Sequence, residues 1–88
     1  MHINILVTGT VQGVYYRAST KQKADELGIK GFVRNQPDGS VYIEAEAPAE
    51  TLKQFIEWCH CGPERAQVQQ VETTQAPLQN FTKFEVRR

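Results

Sequence analysis

Eighty-eight residues, 40% hydrophobic and 23% charged, can enclose one hydrophobic core and no more, so residues 1–88 read as a single domain. Ten basic and ten acidic side chains cancel, which excludes the broad positive field that draws nucleic acid or an anionic membrane surface. Anions must be bound locally, and the apolar run at 3–7 is too short to span a bilayer and lacks the flanks of a secretory leader, so the expected compartment is the cytoplasm.

Ile3, Ile5 and Val7 alternate with His2, Asn4 and Thr8, the period of a strand with one buried face. Leu6 suits a central strand, and His2 is taken as part of a flexible start. From Tyr16 the period lengthens. Tyr16, Thr20, Ala24 and Leu27 recur at steps of four and three among Lys21, Gln22, Asp25 and Glu26, which predicts an amphipathic helix that Gly28 ends. Residues 32–35 and 41–47 are strand-like runs around Gln36-Pro37-Asp38-Gly39-Ser40, a composition suited to reversing a hairpin.

Pro48 fits the first turn of a second helix, whose Leu52, Phe55, Ile56 and Cys59 share one face before Gly62-Pro63 stops it. Residues 68–74 and 84–86 are the remaining strands, joined by a loop at 75–80. The order is β-α-β-β-α-β with a short extra C-terminal strand. Two amphipathic helices need an apolar surface, so the expectation is an α+β, ferredoxin-like split β-α-β sandwich, a mostly antiparallel sheet with both helices on one face.

Cys59 and Cys61 stand two positions apart, too close for an ordinary bridge, and read as free thiols of which one is buried. With His60 they form too small a set for structural zinc, so no metal is expected.

The first strand-to-helix junction reads Gly9-Thr10-Val11-Gln12-Gly13-Val14-Tyr15-Tyr16-Arg17. Two glycines allow a tight turn of converging backbone N–H groups, and the helix start adds unpaired donors and the positive end of its dipole, a cradle for phosphate. It lacks the Gly-Lys-Ser/Thr ending of a Walker loop. Arg17 opposes the dipole unless an anion lies between them, and its guanidinium can grip phosphate through two parallel bonds. Taken alone, an arginine here reads as a solvated surface residue. Asn35, ending a strand in Gly31-Phe32-Val33-Arg34-Asn35, can accept from a water hydrogen and donate to a phosphoryl oxygen, although taken alone an asparagine near a turn reads as serving the turn. Arg34 reads as its solvent-facing neighbour. No Ser-His-Asp or Cys-His set can be assembled around the junction, so nothing there reads as a base.

These two motifs, with Asp38-Gly39-Ser40-Val41 after them, resemble the acylphosphatase family. The likeness extends to Leu27-Gly28, Trp58, Gly62-Pro63, Ala66, Val68 and Phe84. It implies hydrolysis of acyl phosphates to a carboxylate and inorganic phosphate, without metal or organic cofactor. By the resemblance, the backbone of Gly9, Thr10, Val11, Gln12, Gly13, Val14 and Tyr15, with Arg17, holds the phosphoryl group, and Asn35 places the attacking water. The implied partners are a small acyl phosphate and inorganic phosphate, as product and inhibitor, for a monomer that binds neither nucleic acid nor membrane. Tyr16 departs from the family, which often has Phe before the arginine, and its hydroxyl needs a polar outlet.

Two other readings share these features. One is a phosphate-binding module without turnover, like the acylphosphatase-like domains that begin hydrogenase-maturing carbamoyltransferases and handle carbamoyl phosphate. The other is an RNA-binding domain of the same element order, disfavoured by zero net charge and a first strand without aromatics.

Overall fold

The computed structural model describes residues 1–88. Its elements follow as β1 (His2–Thr10), α1 (Tyr16–Leu27), β2 (Lys30–Asn35), β3 (Val41–Glu46), α2 (Ala49–Cys61), β4 (Gln67–Ala76) and β5 (Phe84–Arg87). The sheet order is β4-β1-β3-β2-β5. β1 and β2 each pair antiparallel with β3, so they run parallel with β3 between them, the split β-α-β arrangement. β5 adds to β2 in parallel as the extra strand.

Ile3, Ile5 and Val7 meet Val33, Val41, Ile43 and Ala45 in the buried cluster, with Tyr16 and Ala24 of α1 and Leu52, Phe55 and Cys59 of α2 above them. This is the period of two from the strands meeting the three-and-four spacing from the helices. Gly28, left-handed at φ 73°, ends α1. Pro48 caps α2 rather than entering its first turn, and its carbonyl accepts from Leu52 N–H at 3.0 Å.

The opposite face of the sheet is not free, and this corrects the reading of His2. The side chain is 1% exposed. Its Nδ1 lies 2.8 Å from Glu46 Oε2, and its Nε2 lies 3.0 Å from Asn4 Oδ1 and 3.1 Å from Glu44 Oε1. The chain between β4 and β5 crosses this face, with Phe81 stacked on His2 at 5.9 Å and set edge-on to Phe32 at 5.9 Å. The connection must cross, because β4 and β5 are opposite edges of the sheet. Phe32 is left only 5% exposed, so the crossing covers the end of this face around His2, while Leu6, Tyr42 and Glu44 stay half-buried.

Glu46 ties this crossing down by accepting from the backbone N–H groups of Gln79 and, at 2.9 Å, Phe81. Burial alone would raise its carboxyl, but these bonds and His2 outweigh it and hold the pKa at about 2, below the ordinary 4.5. A lowered carboxyl contributes stability that is complete above about pH 4.5 and is lost as pH falls toward 2. Glu46→Ala is expected to destabilise the fold by about 2 kcal/mol, since it leaves the buried His2 and the partly buried N–H groups of Gln79 and Phe81 without their acceptor. Urea unfolding at neutral pH checks the loss, and the variant's midpoint should vary less than the wild type's between pH 4.5 and 2.

Candidate functional site

Asn35 and Val7 pair with the same residue, Val41, from either side of β3. Asn35, the last residue of β2, is thereby level with Val7 of β1, which runs on three residues to Thr10 before the chain turns into α1. Ligand sites in α/β sheets favour this edge, where helix N-termini and strand ends converge. Here it holds a cleft of about 400 Å³ lined by Val11, Gly13, Tyr15, Tyr16, Arg17, Ala18, Asn35 and Val86. Arg17 and Asn35, eighteen positions apart in sequence, therefore face one space.

The nine-residue junction divides into two parts, a correction to its expected extent. Gly9 and Thr10 belong to β1, pairing with Val68 and Gln67 of β4 across a register shift at Thr8/Gly9. A Cβ on Gly9 would lie 2.2 Å from Gln67 O and 2.8 Å from Gln69 N, so this glycine is required by the close approach of β4. The turn proper is residues 11–15. None of the loop and cap hydrogen bonds within the backbone is donated by Gln12, Gly13, Val14 or Tyr15, and the helical ladder begins with Ser19 N–H on Tyr15 O at 3.0 Å. Gly13 and Tyr15 both have positive φ, 73° and 64°. Successive N–H groups around such residues form an anion-binding concavity.

Gln12 does not line the cleft, but its side chain fixes the turn. Nε2 donates to the carbonyls of Gln36 at 2.7 Å and Ser40 at 2.8 Å, spanning the hairpin that begins just after Asn35. The hairpin is itself closed by Asp38, whose Oδ1 accepts from Ser40 Oγ at 2.6 Å and Ser40 N at 3.0 Å. Those bonds, the Ser40 hydroxyl first, hold the Asp38 carboxyl below its usual range. One amide thus sets the spacing between the donor-rich turn and Asn35.

Tyr16 anchors the start of α1 in the core. Its ring lies 5.6 Å from that of Trp58, and its hydroxyl donates to Cys59 O at 2.8 Å. That carbonyl lies in the last turn of α2, where no helical N–H remains to pair with it. The polar outlet demanded by the sequence is therefore a helix end, and burial pushes the phenol well above its ordinary value. Cys59 is buried and Cys61 exposed, both as free thiols.

Arg17 follows on the next position and projects away from the core. Its Nη1 donates to Arg87 O in β5 at 3.0 Å, leaving most of its five donors uncommitted. Asn35 carries the clearest chemical signal: Oδ1 is the one buried side-chain polar atom with no hydrogen-bond partner. A stranded buried acceptor costs about 1–3 kcal/mol, the kind of cost that persists at functional positions. The lining contains no carboxylate and no imidazole.

The model of the acylphosphatase family matches residues 3–86. The chain belongs to the acylphosphatase family. An acylphosphatase of Marinobacter nauticus is 58% identical over 92% of this chain and 89% of its own length. The crystal structure of acylphosphatase from Bacillus subtilis superposes with a TM-score of 0.95 at 32% identity, covering 99% of this chain and 98% of that one. An acylphosphatase from Coxiella burnetii also superposes at 0.95, at 34% identity, covering 98% of this chain and 90% of its own. Hydrolysis of acyl phosphates is the activity that goes with this acylphosphatase membership. No helix of the chain is long and apolar enough to cross a membrane.

The sequence singled out Val11, Gly13, Tyr15, Arg17 and Asn35, and all five line the cleft. Gly9, Thr10, Gln12 and Val14 do not, although Gln12 braces it. Tyr16, expected only as part of the buried stripe of α1, also lines it, and Ala18 and Val86 were missed. Ala18 could have been found as the small residue one step beyond Arg17, off the buried stripe of α1; Val86 carries no local signal, because only the placement of β5 beside β2 brings it in.

Proposed function

We propose that acyl phosphate hydrolysis takes place in this cleft, with the phosphoryl group held by the turn at 11–15 and by Arg17 and the attacking water placed by Asn35. The observation that carries the reading is the unpaired, buried Asn35 Oδ1 beside a guanidinium and a turn of unused N–H groups. Gly9 and Thr10 serve by setting the path of the turn rather than by lining it.

The donors of the turn and Arg17 take the phosphoryl oxygens and neutralise the charge that spreads over them in the transition state. Asn35 Oδ1 accepts one hydrogen of a water, and its amide N–H donates to a phosphoryl oxygen, aiming the water's lone pair at phosphorus. The new P–O bond forms as the bond between phosphorus and the carboxylate oxygen breaks. A carboxylate leaves without needing a proton, and the water's proton passes to a phosphoryl oxygen, so no side chain need act as a base. The cleft's lining supplies no carboxylate or imidazole for a metal, and the mechanism requires none.

Inorganic phosphate presents the same oxygens as the substrate, so it should act as a competitive inhibitor. Initial rates of benzoyl phosphate hydrolysis at several phosphate concentrations, with and without a chelator, test this. The expected result is a rise in apparent KM at constant kcat, unchanged by the chelator. Uncompetitive inhibition or a metal requirement would exclude the mechanism. The protein is taken to act as a monomer. A cytoplasmic location agrees with an exposed free thiol at Cys61, which an oxidising compartment would put at risk.

A further inference from the structure

Tyr15 and Val86 have no part in holding the phosphoryl group through their side chains. Of four large apolar residues that are well exposed, these two line the cleft, Tyr15 at 73% and Val86 at 42%. They arrive from different elements, one from the N-cap of α1 and the other from β5. Tyr15 is also left-handed, at φ 64° and ψ 22°, an uncommon conformation for a bulky aromatic residue. Its ring forms no aromatic pair and its hydroxyl no hydrogen bond within the chain, although the neighbouring Tyr16 does both. The fold therefore spends backbone strain to hold an aromatic surface open at the mouth of the cleft.

We infer that Tyr15 and Val86 form the subsite for the acyl group, and that they select acyl phosphates whose acyl part is apolar, aromatic above all. This rests on the phosphoryl site proposed above. In an in-line displacement the acyl oxygen departs opposite the attacking water, so the acyl group projects out of the donor-lined turn. The apolar side chains exposed to it are Tyr15 and Val86, with the small Ala18 leaving room between helix and strand. Covering them with an apolar group removes their surface from water, and an aromatic acyl group gains ring contact with Tyr15 as well.

The same lining argues against other acyl groups. Arg17 is its only charged residue, and Asn35 its only amide side chain. Both are engaged by the phosphoryl group and the water in the proposed mechanism. Within this cleft an acyl part with a second carboxylate or phosphate, or several hydroxyls, meets no further charged or amide side chain and faces two apolar ones, since Lys21, Lys30 and Lys83 line a separate groove that shares only Val86 with it. Such a substrate loses hydration without replacement bonds.

The test compares kcat/KM for benzoyl phosphate with that for acetyl phosphate in the wild type, Tyr15→Asn and Val86→Ser. Asparagine tolerates the left-handed backbone, so the ring is removed while the turn keeps its conformation. Using the ratio of the two substrates cancels any loss common to both. The ratio should fall about tenfold in Tyr15→Asn and about threefold in Val86→Ser, with phosphate still competing in each. An unchanged ratio in variants that phosphate still inhibits would overturn the acyl subsite alone. Absence of competition by phosphate in the wild type would instead overturn the phosphoryl site, and the acyl subsite with it.

Discussion

Arg17→Gln is expected to lower kcat/KM for acyl phosphates by about 100- to 1,000-fold, the range seen when one preorganised donor to a developing oxyanion is removed. Arg17 is the only fixed charge among the residues lining the cleft. Its loss therefore removes Coulombic attraction for the ground-state dianion together with the paired donors that follow its oxygens through the reaction. Affinity for inorganic phosphate should fall in parallel, with binding bearing the larger share. A lysine would restore charge without the planar fork, so Arg17→Lys should recover only part of the activity. The fold has little at stake, because the side chain's one hydrogen bond in the protein is to Arg87 O, worth about 1 kcal/mol. Steady-state kinetics with both substrate and phosphate, alongside urea unfolding, separate these effects. A Gln variant that kept wild-type phosphate inhibition would remove Arg17 from the site.

The sequence exposed those parts of the structure that depend on near neighbours. The alternation of Ile3, Ile5 and Val7, the spacing of Tyr16, Thr20 and Ala24, and the Pro-Asp-Gly of the hairpin each report local geometry, and each element stands where its pattern put it. Arg17 and Asn35 were singled out on other ground: alone, an arginine in a first turn reads as solvated and an asparagine beside a turn as serving that turn, and it was the resemblance of their two motifs to the acylphosphatase family that set them apart. Gly9 was misread because a glycine permits a turn and a close strand approach equally well, and only β4, some sixty residues on, decides between them. His2 was misread on similar grounds. A period of two gives the face a side chain points to, but not whether Phe81 and Glu46 will arrive to cover that face. The bracing of the turn by Gln12 was invisible too, since it needs the Gln36 and Ser40 carbonyls to lie close together beside it.

Asn35→Ala separates binding from chemistry, and the expected result is a fall in kcat of about 100-fold with KM and phosphate inhibition changed less than about threefold. The asymmetry follows from what each group touches. The turn and Arg17 hold the phosphoryl oxygens before and during reaction, so their contribution appears in binding as well as in rate. Asn35 adds one hydrogen bond to a phosphoryl oxygen that the turn and Arg17 already hold, and its larger contribution is realised only as the water on Oδ1 approaches phosphorus. Removing the side chain also removes the unpaired Oδ1, so the variant should be as stable as the wild type or slightly more so, by about 1 kcal/mol. A stability gain coupled to a loss of rate distinguishes a functional acceptor from a structural one, whose deletion would lower both. Asn35→Asp sharpens the comparison: the carboxylate can still accept from water but repels the phosphoryl oxygens and cannot donate to them, so it should impair kcat and phosphate affinity together. Equal losses of kcat and phosphate affinity in the alanine variant would assign Asn35 to phosphoryl binding and leave the water to be placed by another group.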